Sequence, residues 1–89
     1  MKNAKLETEL LMAMVKFRAY ELREIDDPRI VFKSIDEATK TMLKLKIEGE
    51  LSEADREEAE TILRDCEIET TKLVLSDPGR GVAIKMIED

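Results

Sequence analysis

Three groups of residues in this chain have types and spacings that could do chemistry. The first is a row of carboxylates. Between residues 49 and 69 stand nine acidic side chains and two basic ones, Arg56 and Arg64. Glu50, Glu53, Glu57, Glu60 and Glu67 recur at steps of three and four, with Arg64 in the gap, so they share one side of a helix. Asp55, Glu58, Asp65 and Glu69 form a flanking row. Such a row can dock a basic partner, or mimic a phosphate backbone in another protein's nucleic-acid groove. Its plain alternative is a solvated face with internal ion pairs, Arg56 with Glu60 and Arg64 with Glu60 or Glu67. The second group is the lone Cys66. The third is Gly79, Arg80 and Gly81, whose backbone amides could receive a phosphate at a helix start, or simply form a turn.

None of these makes a catalytic constellation. The chain has no histidine, so Cys66 lacks an activating base, and its place on an apolar helix face reads as core filling. Without histidine a zinc site or a Glu-x-x-His di-iron pattern is not expected. Glu48-Gly49-Glu50 does not supply a calcium loop. No metal, cofactor or enzymatic activity is expected. The carboxylates are many, but they lie along a helix with no cleft implied.

The elements that carry these residues are helices. The chain has 89 residues, enough for a single helical domain spanning 1–89, and its formal net charge is -6. Aromatics make up only 3%, so the core is aliphatic with methionine filling gaps. A first helix is predicted from about Ala4 to Ile25, with Leu6, Leu10, Ala13, Phe17 and Tyr20 on one face; Asp26-Asp27-Pro28 ends it. A second runs from about Pro28 to Glu48. Asp27 caps it, Gly49 terminates it, and its face is Val31, Ile35, Ala38, Met42 and Leu45. A third begins after Ser52, with Ala59, Ile62, Leu63, Cys66, Thr70, Leu73 and Val74 inward. Ser76-Asp77-Pro78-Gly79 breaks it. The last residues read equally as a short helix or as a β-hairpin with Lys72 to Leu75. Short connections make the expected fold all-α: a three-helix antiparallel bundle with a short C-terminal helix or β-hairpin appendage.

One helix carries more apolar surface than its neighbours need. Leu10 to Val15 is an unbroken apolar run, and at about 100° per residue it sweeps around the axis. One stripe faces the core. A second set, Leu11, Met14, Val15 and Leu22 with Ile25 beside it, lies about 100° away and is expected to be an oligomer seam or partner groove. The alternative is that Val82, Ile84 and Met86 cover it internally.

The turn Gly49-Glu50-Leu51-Ser52, Phe32 before it and a cysteine on the following helix resemble in part the small subunit of exonuclease VII, a short helical family with a Gly-x-Leu turn. Under half of the chain takes part. Cys66 stands about one helical turn from that family's cysteine and the first helix has no counterpart, so no membership follows.

The sequence thus points to a non-catalytic interaction module. It is expected to self-associate through its first helix, most simply as a dimer, and to offer Glu53, Glu57, Glu60 and Glu67 to a basic protein partner. A regulator, adaptor or small inhibitor of a nucleic-acid-handling protein would fit, for instance a phage- or host-encoded antagonist. A structural subunit of a larger assembly, and a phosphate-ligand binder using residues 79–81, are the other readings. Direct nucleic-acid binding is disfavoured by the charge. No run reaches the roughly 20 apolar residues of a membrane span, and the unpaired cysteine suits the cytoplasm.

Overall fold

The computed structural model describes residues 3–76. They form three helices, α1 (Ala4–Glu21), α2 (Pro28–Glu48) and α3 (Glu53–Ser76), each packed against the other two. The expected all-α class holds. The C-terminal helix or hairpin, and the covering role of Val82, Ile84 and Met86, fall outside the described residues.

The faces read from the apolar periodicity are the ones buried. Leu6, Leu10, Ala13 and Tyr20 of α1, Val31, Ile35, Ala38, Met42 and Leu45 of α2, and Ala59, Leu63, Cys66 and Val74 of α3 form one core. Phe17, Ile62 and Leu73 pack partly exposed against it. Two polar side chains join the core. Ser34 Oγ donates to the Ile30 carbonyl at 3.2 Å, and Thr70 Oγ1 to the Cys66 carbonyl at 2.6 Å. Each hydroxyl thereby satisfies itself on its own helix. Across helices, Thr41 Oγ1 donates to Glu9 Oε2 at 2.6 Å and ties α2 to α1.

The helix starts are capped by side chains. Asn3 Oδ1 accepts from the Leu6 amide at 3.0 Å, a cap that sequence reading did not single out. Asp27 Oδ1 accepts from the Arg29 amide at 3.0 Å, with Pro28 in the first helical position as expected. Ser52 Oγ accepts from the Asp55 amide at 3.1 Å. Asp27 also grips the Arg29 guanidinium, and that hydrogen bond holds its carboxyl below the usual aspartate range. A depressed carboxyl stabilises the fold in full above its unfolded pKa, and loses that contribution as pH falls through the folded value. Losing this cap through Asp27→Ala is expected to cost about 1 kcal/mol near neutral pH. The deficit relative to the parent should shrink below about pH 4. Urea unfolding of both chains as a function of pH measures it.

Both helix exits use the same backbone device. After α2 the Glu50 amide donates to the Leu45 carbonyl at 2.9 Å and the Gly49 amide to Lys46 at 3.1 Å, the paired bonds of a Schellman ending. Gly49 sits at φ 73°, where an added Cβ would meet nothing within 4 Å. Gly49→Ala should therefore cost about 1 kcal/mol through backbone conformation alone, read as a lower urea midpoint. After α1 the same bonds form from Glu24 to Ala19 at 2.8 Å and from Arg23 to Tyr20 at 3.1 Å. There an arginine takes the left-handed conformation, at φ 64°.

This corrects the expected extent of the first helix. It ends at Glu21, not near Ile25. The reversal at Arg23 turns the chain back, and Ile25 packs partly buried against the core instead of extending the second apolar set.

Candidate functional site

The second apolar set on α1 is exposed where the first is buried. Leu10 is 3% exposed and its neighbour Leu11 is 52%. Val15 and Leu22 are exposed at 61% and 54%, and Met14 at 43%. Leu11 and Val15, four apart, share the side of α1 turned away from Leu6 and Ala13, and Leu22, seven residues on, is the cap residue just past its last turn. Met14 leans toward α3. It joins Phe17, Ile62 and Cys66 in lining a groove of about 400 Å³ between α1 and α3, bordered by Arg18, Asp65 and Glu69. An adjoining hollow of about 240 Å³ shares Met14 and Ile62 and adds Leu11 and the carboxylates of Glu7 and Glu58. The four residues expected to act as one seam are thus divided. Val15 and Leu22 lie outermost, Met14 borders the groove, and Leu11 serves both.

The carboxylates of α3 also separate into two populations. In the row favoured from sequence, Arg56 forks between two of the four. It contacts Glu53, and its Nη1 lies 2.8 Å from Glu60 Oε1. The guanidinium holds the Glu53 carboxyl below its usual range, and the two carboxylates raise Arg56 above its own. Glu57 and Glu67 are exposed and engage no ion pair among the described residues. The expected bond from Arg56 to Glu60 is present. The expected partnership of Arg64 with Glu60 or Glu67 is not formed: Arg64 is exposed and makes no ion pair among the described residues.

Of the flanking row, Asp65 and Glu69 border the apolar groove and Glu58 the adjoining hollow, while Asp55 lines neither. Sequence spacing had identified both rows. Only the rotation of α3 against α1 decides which of them meets apolar surface.

By charge alone the cations of α2, Arg29, Lys33, Lys40, Lys44 and Lys46, would complement the acids of α3, within one chain or across a dimer. No ion pair joins the two helices among the described residues. Lys40 pairs instead with Asp36 of its own helix at 3.0 Å, and Lys33, Lys44 and Lys46 are exposed. Beside them Leu43 is 47% exposed and Ile47 86%.

The remaining candidates do little chemistry in this arrangement. Cys66 is a buried free thiol, and burial, then Asp65, pushes its pKa up, which keeps it protonated and a poor nucleophile. Among the described residues no cluster of histidine, cysteine or carboxylates could hold a metal ion, and no helix is long and apolar enough to cross a membrane. Gly79, Arg80 and Gly81 lie outside the described residues.

No family model, curated protein or solved structure matches this chain.

Proposed function

We propose that the chain is a non-catalytic helical interaction module that pairs with a second copy through the outer side of α1 and presents carboxylates of α3 to a basic partner. The observation that carries this reading is the exposure of Leu11 and Val15 on one helix side and of Leu22 at its cap, each more than half open to solvent. Apolar side chains gathered at helical spacing on a small domain favour association, at about 25 cal/mol per Å² removed from water. The helices, joined by connections of a few residues, take the antiparallel arrangement of a small bundle, which leaves the outer side of α1 unshared among the described residues. The unpaired cysteine accords with a reducing compartment, and the acid-rich α3 with the role of adaptor or inhibitor toward a cation-rich surface.

The two halves of the proposal respond differently to salt and to mutation. Paired copies held by aliphatic packing persist at about 1 M salt, where the screening length is about 3 Å. Binding of a lysine-rich peptide through the acids weakens steeply over the same range. Glu57→Lys with Glu67→Lys leaves the Arg56 fork in place and should abolish peptide binding, with helicity by circular dichroism retained. Peptide affinity unchanged by this pair would remove the acidic row from the function.

A further inference from the structure

The α1/α3 groove and the outer ridge of α2 are complementary, and no ion pair joins α2 to α3 among the described residues. The groove and the hollow beside it share Met14 and Ile62 on an apolar floor that Phe17 completes; Glu58 stands on the rim of the hollow, and Asp65 and Glu69 on that of the groove, Glu69 lying 3.3 Å from Lys72 of its own helix. The ridge has apolar knobs, Leu43 and Ile47, flanked by Lys40 and Lys44, all exposed. Along α3 the rim runs from residue 58 to 69, and Asp36, Lys40, Leu43 and Ile47 run along α2 at steps of four, three and four. Each spans eleven residue steps, about 16 Å of helix. An amphipathic helix laid into a groove uses anchors at this spacing, and methionine lets the floor adapt to them.

We infer that the α1/α3 groove receives the C-terminal half of α2 from a second copy of this chain. Leu43 and Ile47 enter over Met14 and Ile62, and the lysines meet the groove carboxylates. Arg18 also borders the groove, but it is engaged by Glu21 of its own helix, as Lys40 is by Asp36 and Glu69 by Lys72, so the open match between copies is Lys44 with Glu58 and Asp65. The inference rests on the reading of the chain as self-associating, and adds a second, different contact. The outer α1 seam joins like to like. The groove contact joins two unlike surfaces, so it propagates from copy to copy unless it closes into a ring. Its charge pairs are screened at high salt, so it weakens there more than the α1 pair does.

The test separates the two contacts. Val15→Gln with Leu22→Gln removes the outer seam without adding charge. In that background, Lys40→Glu with Lys44→Glu makes a ridge variant, and Glu58→Lys with Asp65→Lys makes a groove variant. All four positions are exposed, and circular dichroism checks that each chain is folded. At low salt, sedimentation should find each variant alone at the 10.2 kDa of one chain. An equimolar mixture should sediment at twice that mass or more, because each variant retains the half that the other has lost. A mixture that stays at one-chain mass, with both variants folded, overturns the inference. Loss of the α1 seam reading alone appears elsewhere: Val15→Gln with Leu22→Gln would then leave the parent's mass at high salt unchanged.

Discussion

Leu10→Ala should destabilise the folded chain by about 2–5 kcal/mol, the range for truncating a buried leucine, while Leu11→Ala at the next position costs under about 0.5 kcal/mol in dilute protein. The two residues are chemically identical and adjacent. Leu10 is 3% exposed in the core and Leu11 52%, so the first substitution leaves a cavity and the second leaves none. At roughly 0.05–0.15 kcal/mol per residue, a chain of 89 residues has a total stability of about 4–13 kcal/mol, and the Leu10 change removes a large part of it. The comparison is made by urea unfolding, with the slope of the transition checked for constancy so that the midpoints report stability. Equal costs at the two positions would mean that the face assigned to the core is wrong.

Val15→Gln with Leu22→Gln is the second large effect, and it falls on assembly and not on folding. Both side chains stand more than half exposed, and glutamine is as good a helix former as most residues, so unfolding of the dilute chain should move by under about 0.5 kcal/mol per site. The molar mass at high salt should fall to that of one chain. Apolar side chains that only decorate a solvated helix would give no such change in mass.

How far the sequence discloses this molecule depends on whether the information sits in residue types or in backbone geometry. The bounds of α2 were legible because Asp27, Pro28 and Gly49 each have a specific physical job at a helix end. The end of α1 was not, because the left-handed residue of the same ending is Arg23, whose type does not advertise that conformation. Periodicity disclosed the three buried faces, since 3.6 residues per turn places them. It also disclosed that α1 has a second apolar set. It could not disclose that Met14 would turn to a groove while Val15 stays outside, because that depends on the angle at which α3 meets α1. The same limit applies to the acids. Both rows were visible as spacing, but the favoured one is half occupied by Arg56 and the other borders the apolar groove. Charge alone matches α2 to α3 either within the chain or across a dimer; among the described residues Lys46 acts on Glu53 only from a distance, and Lys33, Lys44 and Lys46 stay exposed.

The most direct test is the molar mass of the unmodified chain by light scattering, at tens of micromolar, in low salt and in about 1 M salt. Pairing through the outer side of α1 predicts at least twice 10.2 kDa in both solutions. A single species at 10.2 kDa in both would contradict it.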